Sequence, residues 1–194
     1  MTTKEKILEK ALTLFAENGY SGTSMELIAQ NVGIKAPSLY KHFKGKEDIL
    51  NSLIDLAESR YEENFGSDKN FGKIPDSIDE FIHETVEKIR FTMSDPLIRK
   101  MRIFLVQEQF RNERLAEVTT RHQMDGVQKM YQAIIEGMMQ KEILAKGDSA
   151  LLALEITAPV ALLISKVDRL PDCKKESLKT IRKHLQHFFE TYKK

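Results

Sequence analysis

Apolar residues recur at helical spacing along nearly the whole chain, and no run alternates apolar and polar positions for the length of a strand. Ile7, Ala11, Leu14 and Phe15 stand at i, i+4, i+7 and i+8, one face of a helix. Thr2 and Glu5 carry the spacing of a capping box ahead of it. Asn18-Gly19 predicts its stop, because both residues tolerate a left-handed backbone. A second box, Thr23-Ser24-Met25-Glu26, opens a short helix with Met25, Ile28, Ala29 and Val32, and Gly33 ends it. Pro37 suits a first helical turn, so Pro37 to Phe43 reads as a third, very short helix. Past Gly45 a longer helix starts at Lys46 and carries Ile49, Leu50, Leu53, Ile54 and Ala57.

Gly66 to Asp76 has two glycines, a proline and little apolar material, and reads as a loop. Longer helical patterns follow: Ser77 to Thr92, then one opened by Asp95-Pro96, then a long one from about Asn112 to Glu142. After Gly147-Asp148 an apolar helix begins, and Pro171-Asp172 separates it from a last one with Leu178, Ile181, Leu185, Phe188 and Tyr192. The expectation is an all-α chain of about nine helices, three short ones first.

Composition narrows the class. At 194 residues, 41% hydrophobic and 30% charged, the chain is long and apolar enough for one domain, or one compact unit with a small appendage. A formal charge of +1 removes any argument for a polycation that coats nucleic acid. The lone Cys173 excludes an internal disulfide framework. Lys and Glu interrupt the first residues, unlike a signal peptide. Glu155, Pro159 and Lys166 interrupt Ala150 to Val167, where a span wants about 20 apolar residues. The expectation is a soluble cytoplasmic protein without a membrane partner.

The junction from Ile28 to Tyr40 is where function concentrates. A helix, a glycine turn and a second helix a few residues later make a helix-turn-helix. Ala29 permits a close crossing, Gly33 makes the turn, and Ile34 and Leu39 pin the second helix, whose outer face is left free for a major groove. Gly33 to Lys46 holds four lysines (Lys35, Lys41, Lys44, Lys46) and no acidic residue, whereas residues 1 to 32 hold three Lys against four Glu. With Tyr40 and His42 exposed, this segment suits phosphate contacts on both sides of a groove. Spacing and charge alone also fit a solvated helical hairpin with a chance run of lysines.

Three stretches, Gly19 to Ser24, Ile28 to Ile34 and Ser38 to Leu50, resemble the N-terminal domain of the tetracycline-repressor (TetR) family. The most specific part is Leu39-Tyr40-Lys41-His42-Phe43-Lys44-Gly45-Lys46, and the likeness covers about residues 4 to 50. It implies a DNA-binding helix-turn-helix domain over 1–47 and a C-terminal helical domain over 48–194 that dimerises and binds an effector. Tyr40 and His42 match family positions that touch phosphate or base edges. Pro37 and Ser38 match the start of the recognition helix, and Lys46 matches a phosphate-binding lysine. Ser24, Lys35 and Lys44 complete the DNA-facing set. Ala36 stands where many members carry a polar base reader, Lys41 becomes a candidate for a guanine contact, and Gly45 replaces the usual Ser or Asn cap.

In the C-terminal part, the helix after Ser149 is apolar nearly all round and must be covered on two sides. Leu152, Ile156, Val160 and Leu163, with Ile181, Leu185 and Phe188 of the last helix, are the expected dimer face. A two-fold dimer presents its reading helices about 34 Å apart, so the expected partner is a double-stranded, near-palindromic operator. Six of the eight methionines fall between Met93 and Met139, and methionine serves adaptable pockets as well as plain cores. Phe91, Met101, Phe104, His122, Gly126, Met130 and Tyr131 are the candidates for contact with a small, lipophilic effector. The alternative is a DNA-binding dimer without a small-molecule pocket, governed by a protein partner or by abundance. No catalytic constellation, nucleotide fingerprint or convincing metal set is present, so no enzyme activity, cofactor or metal is expected.

Overall fold

The computed structural model describes residues 1–65 and 73–194, so the loop expected over Gly66–Asp76 lies outside the described residues as far as 72. The described chain is helical, without strands. It comprises α1 (Thr3–Asn18), α2 (Met25–Val32), α3 (Ala36–Tyr40), α4 (Lys46–Phe65), α5 (Ile78–Ser94), α6 (Pro96–Glu108), α7 (Glu113–Thr120), α8 (Gly126–Gln140), α9 (Ser149–Arg169) and α10 (Lys174–Tyr192). α7 and α8 are joined without interruption by a π turn, Arg121–Asp125, and so form the single long helix that the pattern suggests.

Two compact units emerge. One contains Met1–Tyr61 and Pro96–Thr119; the other contains Glu62–Asp95 and Thr120–Lys194. The sequence-level boundary after residue 47 falls in the first turn of α4, and the first unit extends well beyond it. Three short helices cannot bury enough surface alone. Ile49 and Leu53 of α4 and Ile98 and Phe104 of α6 are sealed in the same unit as Ile7, Phe15, Ile28 and Leu39.

Local chemistry starts and stops these helices. Thr2 and Glu5 form the full capping box of α1. At α2 the cap is Ser24, whose Oγ accepts from the Leu27 amide at 3.1 Å. Thr23 is buried instead, donating to the Leu14 and Gly19 carbonyls. α3 closes at Tyr40, earlier than the expected Phe43.

The second unit is built on Phe81, which meets Tyr131 edge-on at 5.9 Å and Phe189 at 5.0 Å. Around them pack Val86, Ile89, Ile134, Ile135, Met138, Ile156 and Ile181. By length and apolar content α9 could cross a membrane, yet its inner face lies in this core. Here the expected dimer face needs correction. Leu152, Ile156, Val160, Ile181, Leu185 and Phe188 are all buried within their own unit, and Leu163 packs half-buried against them. The outward face of α9 carries Leu151, Leu154 and Leu162. The all-round apolar pattern gave no means of telling the inner stripe from the outer one.

Pro159 sits inside α9 and has no N–H to donate to the Glu155 carbonyl, its partner one turn back. His184 Nε2 lies 3.1 Å from that oxygen and supplies the missing donor from α10. Tyr192 Oη donates to the Glu155 carboxylate at 2.9 Å, a second tie between the two helices.

Candidate nucleic-acid interface

The turn between α2 and α3 is made by Gly33, at φ +80° and ψ +30°. Its amide donates to the carbonyls of Ala29 and Gln30, and the Ile34 amide donates to Ala29 at 3.0 Å. This left-handed closure reverses the chain in one residue, and Ala29, 2% exposed, allows the close crossing. Leu39 and Phe43 are buried beneath α3 and the turn after it. With those anchors inside, Lys35, Pro37, Tyr40, Lys41, His42 and Lys44 are exposed, and Ala36 and Ser38 are half-buried. The structure therefore brings eight of the ten expected DNA-facing residues onto α3 and its flanks.

The other two have additional duties. Ser24 is exposed, but its Oγ is engaged as the α2 cap. Lys46 is half-buried: its Nζ donates to the Tyr20 carbonyl at 2.6 Å and stands 4.4 Å from the centre of the Tyr20 ring. An ammonium has three donors, so this lysine fastens the start of α4 to the α1–α2 turn with capacity left over. Burial and the Glu47 carboxylate raise the pKa of Tyr20, while the Arg114 guanidinium opposes them.

Further residues hold this surface in place, and sequence reasoning missed them. The Lys100 ammonium of α6 donates to Thr13 of α1 at 3.0 Å, and Phe104 stacks on Phe15 at 5.6 Å. Gly19 has φ +75°, and the buried Glu108 carboxylate comes so close that a Cβ at Gly19 would sit 2.8 Å from it. Arg114 of α7 donates to Glu47 at 2.9 Å and also to Asn51, both in α4. All of these partners lie more than sixty residues apart, so no local pattern could pair them.

The expected effector set is divided between the two units. Met101 and Phe104 belong to the core of the first unit. Met130 and Tyr131 belong to the core of the second, where burial pushes the Tyr131 hydroxyl up to about 12 despite its hydrogen bond with Thr85. Phe91 is half-buried, 6.1 Å from Phe65, and His122 is half-buried with Nε2 3.3 Å from the Arg121 guanidinium. Gly126 has a backbone reason to be glycine. Its amide donates to Arg121 five residues back, closing the π turn, and a Cβ there would lie 2.9 Å from that carbonyl oxygen. Among the described residues, no group of three His, Cys, Asp or Glu side chains is placed to hold a metal.

Comparison with known proteins agrees with this geometry. A model of bacterial regulatory proteins of the tetR family matches residues 7–53. A Staphylococcus epidermidis protein described as the biofilm operon icaADBC HTH-type negative transcriptional regulator IcaR is 30% identical over 125 residues, covering 50% of this chain and 68% of that one. Its Staphylococcus aureus counterpart (strain Newman) is 52% identical over 51 residues, 26% of this chain and 27% of that one. Among solved structures, a SmeT–triclosan complex superposes with a TM-score of 0.77 at 18% identity, covering 100% of this chain and 93% of that one. Salmonella enterica GusR superposes with a TM-score of 0.68 at 24% identity, covering 97% and 95%. At these identities the solved structures speak to the fold alone.

Proposed function

This chain belongs to the TetR family of transcriptional regulators, and on that premise we propose that it is a cytoplasmic, homodimeric repressor that holds a near-palindromic operator until a small lipophilic effector releases it. The observation that carries the DNA-binding part is the exposed, acid-free surface of α3 and its flanks, where Lys35, Lys41 and Lys44 surround Tyr40 and His42 over the buried anchors Leu39 and Phe43. Lysines bind phosphates and fix register, while Tyr40, Lys41 and His42 reach base edges. Repression is supported by the relatives, which are described as negative regulators.

Dimerisation is supported by the outward leucines of α9, Leu151, Leu154 and Leu162, which leave an apolar face uncovered in one chain. Effector control is supported by the fold shared with SmeT, which has been solved with triclosan bound. Such control is reciprocal: whatever factor the effector takes from DNA affinity, DNA takes from effector affinity.

The test is fluorescence anisotropy on the DNA upstream of the protein's own coding region, titrated with salt, beside a scrambled duplex. Preferential binding that weakens by about 0.9 log units per phosphate contact for each tenfold rise in salt is the expected result. Equal binding to both duplexes, unchanged by Tyr40→Ala and Lys41→Ala, overturns the assignment.

A further inference from the structure

The cationic segment that begins at Gly33 ends abruptly at Lys46, and the next two residues, Glu47 and Asp48, are acidic. They occupy the first turn of α4, immediately beside Lys46. Acidic residues favour a helix N-terminus, but beside DNA phosphates the same charges repel. Both are tied off. Asp48 Oδ2 accepts from the Lys44 amide at 2.9 Å, folding the loop back onto the helix. The Glu47 side chain is 73% exposed.

The cation that meets it comes from far along the chain. Arg114 of α7 places NH1 2.9 Å from Glu47 Oε1 and donates through NH2 to Asn51, one turn further along α4. Two donors from one planar guanidinium, held in a rigid fork, fix it over the start of α4. An exposed ion pair of this kind adds little to folding stability, so stability alone does not account for so definite a placement. Its charge also reaches Tyr20, the residue that Lys46 grips.

We propose that Arg114 is a positioning and charge-compensating residue for DNA binding, which neutralises Glu47 at the start of α4 so that the phosphates beside Lys46 meet no unpaired carboxylate. This rests on the DNA-reading assignment above. Arg114 acts through Glu47 and does not itself read DNA. Removing the guanidinium leaves a bare negative charge on the binding face, and removing Glu47 as well restores the local charge balance.

The experiment measures anisotropy of a labelled random-sequence duplex of about 30 base pairs, long enough to span two reading helices one turn apart, at about 50 mM salt, where phosphate contacts dominate. Full-length wild type, Arg114→Gln, Glu47→Gln and the double variant are compared, with thermal melting of each. Arg114→Gln is expected to bind roughly fivefold more weakly, the scale of one uncompensated charge near a protein surface. The double variant is expected to return to within about twofold of wild type, with all four melting alike. Binding by Arg114→Gln equal to wild type overturns the proposal, as does a loss that Glu47→Gln fails to rescue, which would make Arg114 a phosphate contact or a structural strut. Lys41→Gln and Lys44→Gln separate the two levels. If they weaken binding and Arg114→Gln does not, only this inference fails; if they too have no effect, the DNA-reading assignment fails and takes this inference with it.

Discussion

Replacing a glycine inside a helix by alanine ordinarily gains about 1 kcal/mol, because alanine loses less backbone freedom on folding. At Gly126 the new Cβ would sit 2.9 Å from the Arg121 carbonyl oxygen, a backbone atom that cannot swing aside. Gly126→Ala is therefore expected to lower the melting temperature by about 2 °C or more, and a rise would show that the π turn is not the reason for glycine. Asp76 offers a pH test at the same scale. Lys141, at 2.6 Å, and Lys73 hold its carboxyl down to about 2. A depressed folded-state pKa gives stability that is present above the ordinary carboxylate range and lost as pH falls towards 2. Following the Asp76 carboxyl by NMR, Lys141→Met is expected to move its titration up towards ordinary values; an unmoved curve would contradict the pairing. What the sequence showed at this scale was whatever depends on neighbours. Gly33 as the turn, Leu39 as the anchor and the α1 capping box follow from spacing of a few residues. Thr23 as a buried donor, Glu108 over Gly19 and Arg114 on Glu47 depend on partners the fold brings in from elsewhere.

Helices were legible wherever one stripe was apolar. The limit came at α9, where apolar residues run all round and spacing cannot rank two faces. Leu152, Ile156 and Val160 turned inward to the core of their own unit, and Leu151, Leu154 and Leu162 turned outward. The two faces should respond differently to substitution. Leu154→Glu with Leu162→Glu is expected to yield a folded monomer by light scattering after size exclusion. Ile156→Ala, inside, is expected to cost about 2–5 kcal/mol of stability and leave association unchanged. A dimer that survives both outward charges would move the interface elsewhere. Pro159 teaches a related point. The sequence shows a proline that breaks a helical hydrogen bond, but only the structure shows His184 reaching across from α10 to supply the donor. The π turn is hidden for the opposite reason, since one extra residue per turn barely disturbs the apolar spacing on either side of it.

On the scale of the whole molecule, the all-α class and the N-terminal reading head followed from periodicity, punctuation by Gly and Pro, and a specific run around Tyr40. The division of the chain did not, because α6 and α7 join the first unit through packing choices such as Phe104 on Phe15. A head completed by distant helices is a head whose DNA affinity distant residues can tune, as proposed for Arg114. The central claim is that α3 and its flanks read a two-fold-symmetric site. Selection from a randomised duplex library by the full-length protein, followed by sequencing, tests this most directly. The expected result is an enriched inverted repeat with half-site centres about ten base pairs, or a small multiple of that, apart, lost when Tyr40 and Lys41 are replaced by alanine. No enrichment, or the same enriched sequences from that double variant, would show that this surface is not the reader.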